Sequence, residues 1–202
     1  MIHVNKGDAP QLKKDWAEAI KKAYNSKCAY CEQKQEAMQI DHYRPRAEYT
    51  WLIDLWENQL CSCPKCNRNK SDNFPIKKIK ITASSNPADY DTIEEPLLVN
   101  PEKEKYPENN FKFKKTGEIE GSTEKGIKTV DVCKLDRTYL NEKRKMIYDR
   151  VKYSIHEALL FNETTNIMVV VNQFIEDCKN QKTEFLAFHK FVLKNELKQM
   201  YG

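Results

Sequence analysis

Two Cys-x-x-Cys pairs, Cys28-Ala-Tyr-Cys31 and Cys63-Pro-Lys-Cys66, constrain this chain more than any other feature. Each pair turns the backbone so that both sulfurs face one point, and Pro64 presets the second turn; four thiolates gathered in this way close a tetrahedral shell around Zn2+. A closed shell leaves no position for substrate, so this zinc is expected to hold the fold and not to cut. Cys61 is a rival ligand two residues before Cys63, less favoured because it would give C-x-C or C-x-x-x-x-C spacing, while Cys133 and Cys178 read as core residues. The amino terminus lacks the apolar stretch of a signal peptide and no later segment is apolar enough to span a bilayer. The expected compartment is therefore the cytoplasm, with no membrane partner, and there clustered cysteines point to metal and not to disulfides.

The rest of the chain reads as helical flanks around this staple. Hydrophobic residues make up 40% and charged residues 32% of 202, with only 5 glycines, a balance that argues against wholesale disorder. Asp8 and Pro10 mark a helix start, and Leu12, Trp16, Ile20 and Tyr24 recur every four residues, so residues 1–27 are expected to form a bracing helix. From Lys27 to Phe74, cysteines, aromatics and turn formers are interleaved without sustained helical period, as expected where metal substitutes for a large core, and the zinc-bearing core is expected to span residues 28–80. Residues 81–135 read as a connecting region, with Phe111-Lys-Phe and Glu118-Ile-Glu flanking Thr116-Gly117 in a small hairpin. Residues 136–202 read as helical. Asp136 is the expected N-cap of a long amphipathic helix carrying Leu140, Ile147, Val151, Ile155 and Leu159 and ending near Asn162. A second helix buries Ile167, Val170, Val171, Phe174, Ile175 and Cys178, and a third opens with Thr183, Phe185, Phe188, Val192 and Leu193. These faces exceed what the hairpin can cover, so they either form a bundle or dock a partner.

The net charge of +4 alone does not announce a nucleic-acid binder, but its distribution is suggestive. Between Pro64 and Lys80, Lys65, Arg68, Lys70, Lys77, Lys78 and Lys80 face one acid, Asp72, a local field suited to phosphate. Between the cysteine pairs lie Gln39-Ile-Asp41-His42-Tyr-Arg44-Pro45 and Trp56-Glu-Asn58-Gln-Leu60, and the second pair runs on as Cys66-Asn67-Arg68-Asn-Lys70.

The order C-x-x-C, D-H-x-x-P, an Asn-containing segment, then C-x-x-C-N-R-x-K resembles the HNH nuclease superfamily in its zinc-ribbon form, over residues 28–75. The resemblance implies an α+β fold with a zinc-stapled ββα-metal core. It implies His42 as general base, a task suited to imidazole with its unperturbed pKa of about 6.5. Asp41 and Asn67 would hold a catalytic Mg2+ or Mn2+ through oxygen, with Asn69 and Asn73 as alternatives to Asn67. Asn58 would fix the loop that carries the base. Arg44, Arg46, Arg68 and Lys70 would contact phosphate. Taken one at a time, each of these residues has a plain structural reading as a core histidine, a turn cap or a helix cap; the ordered set is what favours catalysis.

A narrower likeness rests on Cys-x-Tyr-Cys-Glu32, His42-Tyr-Arg-Pro-Arg46, Trp51-Leu, Phe74-Pro75 and Glu94-Glu-Pro-Leu-Leu-Val-Asn100-Pro101, with weaker echoes at Gly126, Thr129 and Leu135 to Leu140. It resembles the HNH subunit of Septu-type anti-phage systems, also found beside some retrons. That implies a nuclease acting on DNA, or on RNA, with an ABC-type ATPase as partner. The rival from a different class is a zinc-ribbon module that binds nucleic acid or protein without catalysis. Such a ribbon needs four thiolates but has no use for Asp41-His42 together with Asn58 and Asn67.

Overall fold

The structure, a computed structural model, describes residues 1–161 and 164–197 and divides into two compact units, 1–112 with 120–135, and 113–119 with 136–202. In the first unit, helix α1 spans Trp16–Ala23 behind a 3-10 turn at Lys13–Asp15. Ile20 and Tyr24 are buried as the four-residue period requires, but Leu12, expected on the same inward face, precedes the helix and is exposed. The helix therefore starts later than Asp8 and Pro10 suggest.

Strands β1 (Gln39–His42) and β2 (Gln59–Ser62) form an antiparallel pair in which Asp41 faces Leu60 and His42 faces Gln59. Successive side chains on a strand point to opposite faces, so Gln39 and Asp41 share one side of β1 and His42 lies on the other. Helix α2 (Pro64–Lys70) follows at once, with Cys63 as N-cap and Pro64 at the first helical position, where its missing N–H goes unused. It packs against β1 and completes a ββα unit.

The stretch between residues 81 and 135 carries two helices that the hydrophobic pattern does not announce, α3 (Tyr90–Glu94) and α4 (Glu124–Cys133). Both belong to the first unit. α3 supplies Tyr90 to a buried cluster with Tyr49, Leu52 and Ile81, flanked by Phe74. α4 is capped by the Thr123 hydroxyl, which accepts from Gly126 N at 3.0 Å. Only glycine fits at 126, because a Cβ there would lie 1.9 Å from the Asn110 carbonyl oxygen. The hairpin strands are β3 (Phe111–Phe113) and β4 (Ile119–Gly121), with Gly117 at φ +83° in the turn between them.

The second unit is helical. α5 (Thr138–Leu160), α6 (Thr164–Lys179) and α7 (Leu186–Val192) pack on one another. The N-cap of α5 is Arg137, without a side-chain cap bond, and not Asp136. Leu140, Val151, Ile155 and Ala158 are buried along α5, whereas Leu159 is exposed; Asn162, where the pattern ends this helix, lies outside the described residues. Phe188 of α7 meets Phe113 edge-on at 5.5 Å, and His189 stacks on Phe174 at 5.1 Å. Met146, Tyr153, Leu160, Phe161, Met168 and Val169 remain exposed. Among the described residues no helix is long and apolar enough to cross a membrane.

Candidate active site and metal centre

The two cysteine pairs converge. The sulfurs of Cys28, Cys31, Cys63 and Cys66 all lie within 4.8 Å of one another, and Cys31 Sγ is 3.9 Å from Cys63 Sγ. A tetrahedron with Zn–S bonds of about 2.3 Å has sulfur–sulfur edges of roughly 3.8 Å, so the donor set fits zinc. Each turn is built locally. Glu32 takes a positive φ of 61° just past the first pair, while in the second the Cys66 N–H donates to Cys63 Sγ at 3.4 Å. Hydrogen bonds from the other three cysteines push Cys63 strongly toward the thiolate, the form that binds metal. Cys61 stays outside the cluster, buried, with its thiol pushed up to about 12 by loss of water. Cys61 lies within β2, whereas Cys63 follows the end of that strand and caps α2, one turn before Cys66.

His42, at the end of β1, is half-buried and its Nε2 lies 3.1 Å from the Ile53 carbonyl oxygen. A carbonyl can only accept, so Nε2 is the protonated nitrogen of the neutral ring and Nδ1 keeps its lone pair. Asn58 is buried and closes the loop that supplies this carbonyl. Its Oδ1 accepts from Arg44 N at 2.8 Å, while its Nδ2 donates to Arg44 O at 3.0 Å and Leu52 O at 3.3 Å.

Two expected phosphate contacts are buried ion pairs instead. Lys70 has no exposed surface; its Nζ donates to Asp41 Oδ1 at 3.2 Å and to His42 O at 2.8 Å. The last turn of α2 points inward at this position, toward β1, so the ammonium cannot face a ligand in solvent. Arg44 pairs through Nε with Glu94 at 2.6 Å and through Nη2 with Asp91 at 2.7 Å, its guanidinium 5.4 Å from the Phe74 ring. Arg46 and Arg68, by contrast, are exposed and make no ion pair with any described residue.

The expected cation shell also differs. Asp41 is 4% exposed; one carboxylate oxygen accepts from the buried Lys70, and the other accepts a short hydrogen bond from the Tyr30 hydroxyl. Burial pushes its carboxyl above the usual range, against the pull of Lys70 and Tyr30. The Asn67 amide donates to Gln39 Oε1 at 2.9 Å, and Asn69 donates to Cys133 O at 3.1 Å. Asp41 and Asn67 lie on one side of the ββα unit, but as placed they do not fit a divalent cation, because an ammonium already occupies the carboxylate. Sequence order flags Asp41 and Lys70 separately; the helical spacing that turns Lys70 inward beside Cys66 is the signal that could have joined them.

The family model for HNH endonucleases matches residues 28–73. The chain is 30% identical to Septu protein PtuB of Bacillus mycoides (strain KBAB4), over 88% of this chain and 66% of that protein. It is 34% identical to Septu protein PtuA of the same strain, over 89% of this chain and 29% of that protein. It is 28% identical to Septu protein PtuB of Bacillus thuringiensis, over 66% of this chain and 44% of that protein. The chain thus spans only part of the length of each.

Proposed function

From a chain whose residues 28–73 are an HNH endonuclease domain and which is homologous to Septu protein PtuB, we propose an endonuclease that hydrolyses nucleic-acid phosphodiester bonds with His42 as general base. The observation that carries the reading is the His42 Nε2–H bond to Ile53 O, which leaves Nδ1 free to take a proton. Water loses that proton to Nδ1 as its oxygen attacks phosphorus, the bond from phosphorus to the 3′ oxygen breaks with its electron pair on oxygen, and that oxygen takes a proton from solvent water. The ends expected from the family resemblance are a 5′-phosphate and a 3′-hydroxyl. Asn58 serves by keeping the loop closed under the ring. Arg46 and Arg68 are the exposed cations suited to hold neighbouring phosphates. Zinc on the four cysteines contributes folding free energy and takes no part in the chemistry. Mg2+ or Mn2+ is the catalytic ion that the family resemblance implies for Asp41 and Asn67, but Lys70 already occupies the Asp41 carboxylate.

The biological setting we propose is anti-phage defence, with DNA as the favoured substrate and RNA as the alternative. The relatives named PtuB and PtuA are both Septu proteins, which supports a PtuA-like partner, taken here to be an ABC-type ATPase. The test is cleavage of labelled duplex DNA and of total RNA with Mn2+ or Mg2+, comparing the wild type with His42→Ala, each with and without that partner. Cutting that disappears in the variant supports the reading. A variant that cuts at the wild-type rate overturns the role of His42, and zinc-bound protein inert under every condition favours a non-catalytic ribbon.

A further inference from the structure

Ile53 O, which orients His42, accepts a second hydrogen bond from the side chain of Gln59, at 3.1 Å from Nε2. Gln59 opens β2 and is the cross-strand partner of His42, so the two side chains rise from the same face of the pair and converge on one oxygen. The residue is buried and its backbone is held independently: Lys6 Nζ donates to Gln59 O at 2.5 Å and to Trp56 O at 2.7 Å, and pairs with Glu102 at 3.0 Å. Ile53 itself is exposed and follows a single 3-10 turn, Thr50–Leu52. The Asn58 bond to that loop is the longer one, 3.3 Å, and ends at Leu52 O.

Resting on the nuclease reading above, we infer that Gln59 is a positioning residue for the reaction: it fixes the Ile53 carbonyl and thereby the tautomer and direction of the His42 ring. The logic is local. A carbonyl on an exposed loop turns toward water unless something buried holds it; Gln59 provides a rigid donor from the strand, and the imidazole then meets a fixed acceptor. Without that donor the ring loses its reason to keep the proton on Nε2. The share of rings carrying it on Nδ1, where no base can act, then rises.

The test reads the ring before it reads catalysis. In uniformly labelled, zinc-loaded protein above the pH at which the ring is charged, nitrogen NMR reports the His42 tautomer, its signal identified by its loss in His42→Ala. Gln59→Met keeps the length and removes the donor. Expected are a Nε2–H ring in the wild type, a shift of about fivefold in tautomer ratio toward Nδ1–H in the variant, and a fall in kcat equal to the fall in the Nε2–H fraction, with KM unchanged. In the wild type, a scalar coupling should cross the hydrogen bond from the Gln59 side-chain nitrogen to the Ile53 carbonyl carbon. That second measurement decides the matter if Gln59→Met does not fold. A folded variant with the wild-type tautomer and kcat, or a missing coupling, overturns the inference. A wild type that cuts no nucleic acid while the tautomer effect is present would instead count against the nuclease reading alone.

Discussion

Replacing Lys70 by Met separates a buried counter-ion from a phosphate contact. At 3.2 Å and an effective dielectric of about 20, the Lys70–Asp41 attraction is about 5 kcal/mol before the cost of desolvation. Removing one partner of such a buried pair typically destabilises by about 3–5 kcal/mol, because the remaining charge is stranded. The His42 carbonyl also loses a donor that reaches it at 2.8 Å, a further contribution of about 1 kcal/mol. Asp41 can escape part of the penalty by taking up a proton, since burial already pushes its carboxyl upward, so we expect a net loss of about 3 kcal/mol. An exposed lysine serving only phosphate would change stability by less than about 0.5 kcal/mol. The assay is urea unfolding followed by tryptophan fluorescence, with zinc in fixed excess, on Lys70→Met, Asp41→Asn and the double variant. The double variant should recover at least about 2 kcal/mol relative to the sum of the singles. A Lys70→Met protein as stable as the wild type, or singles that simply add, would refute the buried-pair argument.

The remaining expectations follow from the same contacts. Cys66→Ser should unfold the ββα unit as well as lower bound zinc per chain, since structural zinc supplies on the order of 10 kcal/mol; an unchanged cooperative melt would sink the zinc assignment. Asn58→Leu should lose about 2–3 kcal/mol because it strands buried backbone groups of Arg44 and Leu52, and kcat should fall with it; a neutral effect on both would mean that the loop is held some other way. Arg68→Ala should leave the melt unchanged and reduce the slope of log affinity against log salt by about 1, whereas Arg44→Ala should cut stability by leaving Glu94 buried without a counter-ion, held only by the Tyr49 hydroxyl and the Ile81 N–H. Equal salt slopes for wild type and Arg68→Ala, measured by fluorescence anisotropy on a labelled oligonucleotide, would remove Arg68 from the interface.

What could be read in the sequence was whatever local spacing determines. The cysteine pairs specify their own cluster because two residues between thiols fix a turn, and Asp41-His42 falls at a strand end because the hairpin must return to place the second pair. Contact choice was not legible where it depends on chain distant in sequence. Arg44 reads as a phosphate ligand until α3, about fifty residues on, brings Asp91 and Glu94 against it, and α3 is only five residues long, too short to show a period. The helix α4 carries a weak apolar pattern for a related reason: it buries Gly126 and Thr129, small residues that let backbones approach, and its buried apolar side chains, Val132 and Cys133, fall only at its end. Lys70 is the sharpest case, since the charge that marks it as a surface residue is the property that lets it neutralise Asp41 inside. The same composition that makes a stretch look like a phosphate-binding face thus includes charges spent on holding that face in shape. Only Arg46 and Arg68, of the four cations singled out, are left exposed to meet a substrate.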